Sequence, residues 1–291
     1  MELDSAFTGT TLREYATTVT WRDTTNYAAA INDYNERYFN DEKKEALIAH
    51  PMNCVAITWP ICERIWEYIE ADHFPREIIM TQVHYTEYLE FHRPVLPGDK
   101  LTIRGHIAAI LPHRAGTHVV IRFDAMDIKG QPVFTEWMGA MMRGVACLNG
   151  GKGMDRIPAI PENSGENPGW ETKIPIDPLL PYLYDGCTNI VFPIHTSPEF
   201  ARQVGLPGII LQGTATLALA VRELINRDAG GNPERLKKLY CRFTGMVMPG
   251  SNITVQQTGR RGKENGADIF FHVMNGDGLK AISHGYAEIT Q

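Results

Sequence analysis

One stretch of this 291-residue chain is written twice. Val95-Leu96-Pro97-Gly98-Asp99-Lys100-Leu101-Thr102 parallels Val247-Met248-Pro249-Gly250-Ser251-Asn252-Ile253-Thr254, 152 residues further on. In both copies a Pro-Gly turn signal leads into an alternating β-prone run. Self-similarity at a fixed offset implies a duplicated unit, so any fold offered for one half must also serve the other.

The surroundings of the two copies agree. In the first half an alternating stretch (16–21) precedes a helix start at Asp23 or Thr24. A polar loop follows, then the apolar run Met52–Ile69, interrupted by Pro60. Length and apolarity predict a buried helix there. Strands are predicted over 78–91, 100–111, 118–128 and 133–146, with turn signals at Gly98-Asp99, Arg114-Ala115-Gly116 and Lys129-Gly130. The second half repeats this order: a loop around His195, an apolar helix over 214–226, then strands over 239–247, 252–258, 268–273 and 280–289. Between the halves, residues 149–181 include Gly150, Gly151, Gly153, Pro158, Pro161, Gly165, Pro168, Gly169, Pro175, Pro178 and Pro181. Such density breaks both periods and predicts a linker. The expected domains are therefore 1–148 and 182–291, joined by 149–181. The fold class is α+β, with an antiparallel sheet wrapped around a long helix in each half and the two sheets pairing into one surface.

Composition narrows the function. The formal charge is −6, from 28 basic against 34 acidic residues, and no basic cluster offsets it locally. That sign opposes nucleic-acid binding, so no nucleic-acid partner is expected. The five cysteines, Cys54, Cys62, Cys147, Cys187 and Cys241, are odd in number and never spaced as C-x-x-C. They predict free thiols rather than a disulfide framework or a zinc site. The start, Met1-Glu2-Leu3-Asp4, lacks a basic region followed by an apolar one, and no window approaches a membrane span. A cytoplasmic chain with no membrane partner is expected.

Two motifs carry a family resemblance. The second half has Ile190-Val191-Phe192-Pro193-Ile194-His195-Thr196, then Pro207-Gly208-Ile209-Ile210-Leu211-Gln212-Gly213-Thr214. These resemble the Y-x-x-S-G-D-x-N-P-(I/L)-H and P-(I/L)-L-H-G-x-x-T motifs of the MaoC-like (R)-specific enoyl-CoA hydratases and dehydratases. The first half, with Tyr27 through Asn35, Tyr38-Phe39 and Leu96-Pro97-Gly98-Asp99, is similar to the N-terminal dehydratase domain of the same group. The resemblance spans nearly the whole chain outside the linker and implies a double hot-dog fold. It also implies an acyl-CoA or acyl-carrier thioester substrate, no cofactor, no metal, and compatibility with a homodimer.

The departures from the family are specific. Its Asp position is Ile190 here, its Asn position is Phe192, and the His of His-Gly is Gln212. An isoleucine can neither accept a proton nor orient water. At an offset of 157, Asp33 stands opposite Ile190, Asn35 opposite Phe192 and Tyr38 opposite His195. The first half thus keeps the acid and the second keeps the histidine, and the resemblance implies that they lie in different clefts.

His195 is the leading catalytic candidate, since an imidazole titrates near neutrality. Asp33 is the second, although turn chemistry also explains it. Gly213 and Thr214 open the second central helix, whose free amides suit a thioester oxygen gaining negative charge. Gln212 can donate a hydrogen bond but cannot move a proton. Phe192 and Asn35 complete the substrate-binding candidates. His50, His73, His84, His92, His106, His113 and His118 are scattered and show no metal spacing. The expected activity is a hydro-lyase acting across a 2,3 double bond. A hot-dog thioesterase using Asp33 or a glutamate, or a binding protein with a decayed site, are the alternatives.

Overall fold

The computed structural model describes residues 1–43, 47–163 and 169–291; Gly165 and Pro168 of the Gly/Pro-rich segment lie outside them. The first half runs β1 (Glu2–Asp4), β2 (Tyr15–Thr18), α1 (Trp21–Ala30), α2 (Asn53–Glu63), α3 (Ile65–Tyr68), β3 (Gln82–Phe91), β4 (Lys100–His113), β5 (Gly116–Asp127), β6 (Pro132–Arg143) and β7 (Ala146–Leu148). The second runs β8 (Glu171–Pro175), α4 (Leu180–Thr188), α5 (Pro198–Gln203), α6 (Gly213–Asp228), β9 (Leu236–Phe243), β10 (Asn252–Lys263), β11 (Gly266–Met274) and β12 (Lys280–Thr290).

Local chemistry sets several boundaries. Helix α1 starts at Trp21, two residues before the sequence expectation, because Asp23 occupies the third helical position of a capping box. Thr20 N–H donates to Asp23 Oδ2 at 2.8 Å, and Asp23 N–H donates to Thr20 Oγ1 at 3.2 Å. Helix α2 carries Pro60 in its interior and breaks instead at Arg64 (φ −122°, ψ 39°). One missing N–H is tolerated because the helix is held by packing rather than by propensity. Helix α6 runs unbroken for 16 residues and buries most of its length, from Thr214 to Ile225.

Ten strands form one sheet in the order β2-β4-β5-β6-β3-β9-β12-β11-β10-β8, and β1 pairs separately with β7. Each half contributes five strands in equivalent order. They meet where β3 pairs antiparallel with β9, with Tyr88 opposite Tyr240, its counterpart at the 152-residue offset. Bulges coincide too: β3 shifts register between His84 and Thr86, and β9 between Leu236 and Lys238. A second pair marks the same pseudo-twofold axis: the hydroxyls of Tyr27 and Tyr184, 157 residues apart, lie 2.7 Å from one another in the core. One buried cluster joins both central helices to both halves of the sheet. This is the double hot-dog arrangement.

The Gly/Pro-rich segment is more structured than the sequence suggests. Lys152 exchanges two backbone hydrogen bonds with Ile110, and Trp137 Nε1 donates to Arg156 C=O at 3.2 Å. Ile157 and Ile160 cover an aromatic cluster at the β3–β9 seam that includes Tyr88, Trp137 and Tyr240. Strand β8 lies inside the segment and pairs with β10 along the sheet edge, and α4 also begins within it. Pro175 is tolerated at the end of an edge strand. Among the described residues, no helix is long and apolar enough to cross a membrane.

Candidate active site

The C-terminal cleft is built where the chain leaves α4 and returns to α6. Asn189 takes a left-handed conformation (φ 57°), Ile190 is buried, and Phe192 is exposed beside the short turn Pro193–His195. Ser197 Oγ then accepts the Phe200 N–H and starts α5. His195 Nδ1 lies 2.8 Å from the Ile210 carbonyl oxygen. A carbonyl only accepts, so Nδ1 carries the hydrogen and Nε2 holds the lone pair of a neutral imidazole. Burial lowers the His195 pKa to about 4, which keeps it in that form at neutral pH.

Ile210 is three residues before Gly213, so His195 is fastened to the segment entering α6. The amides of Gly213, Thr214 and Ala215 precede the first intrahelical bond, donated by Thr216 N–H to Gln212 C=O. Gly213 packs on Phe243: a Cβ there would stand 3.1 Å from the ring. Gln212 turns its amide inward, Nε2 donating to Pro181 C=O at 3.0 Å, while Oε1 is buried without a hydrogen-bond partner. Thr214 Oγ1 is likewise buried without one. Phe192 stands edge-on to His195, with ring centroids 6.4 Å apart.

The N-terminal cleft holds a different constellation. Asp33 follows α1 and is 3% exposed; Oδ1 accepts the Asn35 N–H at 3.1 Å. Its Oδ2 lies 3.8 Å from Nε2 of His50, which is fully buried. His50 Nδ1 accepts the Met52 N–H at 3.2 Å, so in the neutral ring Nε2 carries the hydrogen and faces Asp33. Tyr27 stacks on His50, and Tyr38 meets it edge-on with its hydroxyl unpartnered. Burial raises Asp33 to about 6 and lowers His50 to about 3. A cavity of about 30 Å³ lies beside His50, lined also by Ile48, Cys54, Phe91, Val95 and Leu236. That is room for a water molecule. Asn35 is committed elsewhere: Nδ2 donates to Gly231 C=O at 2.7 Å and Oδ1 accepts the Arg37 N–H.

The structure therefore gathers Phe192, His195, Gln212, Gly213 and Thr214 around one helix start, and Asp33 with Asn35 around the other cleft. Among the described residues, no hydrogen bond or ion pair joins Asp33 to His195. Sequence reasoning left His50 among the scattered histidines. Its signal was position, since His50 stands just before α2 as Gln212 stands just before α6. Among the described residues, no group of three or more His, Cys, Asp or Glu side chains is placed to hold a metal ion.

Comparison with known proteins agrees with this two-part plan. Residues 6–136 match the FAS1-like dehydratase domain region and residues 160–275 match the MaoC like domain. The chain is 29% identical over 178 residues to 3-hydroxyacyl-thioester dehydratase Y of Mycobacterium tuberculosis, covering 59% of this chain and 60% of that protein. It is 24% identical over 225 residues to the peroxisomal enoyl-CoA hydratase 2 of Arabidopsis thaliana, covering 71% and 68%. The chain thus spans less than two thirds of the first of these relatives. The crystal structure of a MaoC-like dehydratase from Phytophthora capsici superposes with a TM-score of 0.80 at 22% identity, covering 97% and 96% of the two chains, a likeness of fold. The chain thus carries a FAS1-like dehydratase region in its first half and a MaoC like domain in its second, the hot-dog unit being repeated across a pseudo-twofold axis.

Proposed function

We propose that this chain interconverts 2-enoyl and 3-hydroxyacyl thioesters, adding or removing water across the 2,3 bond in the C-terminal cleft. The observation that carries the reading is His195, whose Nδ1–H is fixed on Ile210 C=O so that Nε2 is free to take a proton. In the hydration direction the water oxygen bonds to C3 as the π bond breaks, and Nε2 takes one water proton. Negative charge moves to the thioester oxygen, where the amides opening α6 stabilise it. Nε2 then returns the proton to C2, so the imidazole ends as it began. The substrate class, an acyl-CoA or acyl-carrier thioester, accords with the names of the two curated relatives. A cytoplasmic setting suits five unpaired cysteines, although one relative is named peroxisomal.

Asp33 lies in the other cleft with a fully buried partner, so His195 carries the reaction and Asp33 stands outside it. Incubation with crotonyl-CoA and longer enoyl-CoAs tests this. Loss of conjugated-thioester absorbance without thiol release is expected, and His195→Ala lowers kcat/KM by about 10²–10⁴-fold. Release of free thiol instead would establish a thioesterase. Hydration at an unchanged rate in His195→Ala would remove His195 from the reaction.

A further inference from the structure

A hydratase needs its water held as well as deprotonated, and position 190, where the family carries an acid, is a buried isoleucine. The N-terminal half sends a polar group toward the helix start of this cleft. His84, at the start of β3, packs its ring against Phe243 with centroids 4.6 Å apart, and Phe243 is the ring on which Gly213 rests. The pseudo-twofold axis gives an independent placement. At the 152-residue offset, with matching bulges, His84 and Phe243 correspond to Leu236 and Phe91, and both of those line the cavity beside His50. Each half therefore lends the beginning of its seam strand to the other half's cleft. The N-terminal cleft receives a leucine by this route, and the C-terminal cleft receives an imidazole.

The orientation of that imidazole is set from behind. His84 Nε2 lies 3.2 Å from the Thr86 carbonyl oxygen and 3.0 Å from Glu87 Oε2. The Thr86 carbonyl can only accept, so Nε2 carries the hydrogen and Nδ1 keeps its lone pair. Among the described residues the ring's one hydrogen bond is made through Nε2, and the side chain is 25% exposed. Glu87 is fully buried beside Glu136, and burial pushes both carboxyls well above the ordinary range. At the position equivalent to Glu87 the other half has Leu239, so the fold itself does not require a carboxyl there.

We propose that His84 is a catalytic residue of the C-terminal cleft, its Nδ1 accepting a hydrogen bond from the reacting water, with Glu87 as the positioning residue behind it. The inference rests on the hydratase reading. One water O–H donates to His84 Nδ1 and stays intact, becoming the product hydroxyl. The other proton passes to His195 Nε2 and on to C2, while the oxygen bonds to C3. No net proton is gained or lost.

The test begins with the wild-type chain and a series of 2-enoyl-CoAs. No hydration of any of them would overturn the hydratase reading itself, and this inference with it. Where the wild type hydrates, His84→Ala is expected to lower kcat by about 10²-fold with KM little changed. Imidazole added to the solution should restore part of the loss in a saturable manner. Glu87→Gln should lower kcat less and also leave KM little changed. Leu236→Ala, the equivalent change in the other cleft, should leave hydration as it was. Wild-type kcat in His84→Ala would overturn the role of His84 while leaving the hydratase reading in place, and so would a loss that imidazole cannot rescue. If the alanine variant does not fold, His84→Asn takes its place, and wild-type kcat there overturns the inference equally.

Discussion

Burial acts on Asp33 and His50 in opposite senses, because it penalises whichever form is charged. Folded Asp33 titrates near 6, whereas an unfolded aspartate titrates near 3.9. The folded chain therefore holds that proton more tightly, and the residue's contribution to stability declines as pH rises from about 4 to about 6. His50, near 3 when folded against about 6.5 unfolded, contributes stability that is lost as pH falls through that window. Above about pH 6.5 His50 is neutral in both states and only the cost of the buried Asp33 charge remains. Asp33→Asn removes it and keeps an oxygen for the Asn35 N–H. At pH 7.5 this variant should be more stable by ~1–3 kcal/mol in urea unfolding, with hydration retained. A lower unfolding midpoint at that pH would show that the charge is compensated where it lies. His195 was readable from Pro-Ile-His ahead of a helix cap. His50 carried only its place ahead of α2, and His84 carried no local signal at all. His50 meets Asp33 only after the chain folds back on α1, and His84 gains its place through a strand pairing about 150 residues away.

Elements whose signals are local were legible, and those made by distant partners were not. The Arg114-Ala115-Gly116 turn falls between β4 and β5 as its residues suggest, and Gly266 occupies the corresponding turn between β10 and β11. Both glycines have φ of +147°, and at both an added Cβ would stand 2.0 Å from a carbonyl oxygen, of Met142 or Ile289. Backbone at the sheet's adjoining strand leaves no room there, and only glycine adopts this conformation freely. Gly266→Ala should therefore destabilise the chain by at least ~1–3 kcal/mol, read as a lower Tm. Gly262→Ala, four residues earlier on β10 with open space around it, should shift Tm far less. Equal shifts would refute this account of the turn. Strand β8 shows the opposite case. Its Gly/Pro-rich surroundings read as a linker, and it becomes a strand because β10 offers it an open edge. The helix break at Arg64 rather than at Pro60 has the same origin, packing overruling a local breaker.

The duplicated sequence foretells two units, and the axis between them is written in tyrosines, Tyr27 with Tyr184 and Tyr88 with Tyr240. What the repeat does not reveal is how far the units have ceased to be separate. The sheet is continuous through β3 and β9, and Arg222 on α6 donates to the Ile31 carbonyl at the end of α1 at 2.6 Å. Asn35 and Arg37 of the first half bond Gly231 and Glu234 of the second. Separating the halves would expose the paired edges of β3 and β9 and cut through the shared core. The N-terminal cleft depends on the same junction, since Leu236 of β9 lines it. The chain should accordingly unfold as one cooperative unit despite its length. Tryptophan placement makes this measurable. Trp21, Trp59, Trp66 and Trp137 lie in the first half, and Trp170 lies in the Gly/Pro-rich segment bonded to Asp228 and Gln257 of the second, whereas far-ultraviolet circular dichroism reports both. In urea, fluorescence and circular dichroism should trace coincident transitions with one midpoint. Two resolved midpoints would mean that the halves stand alone, and that a cleft can lose its borrowed strand without global unfolding.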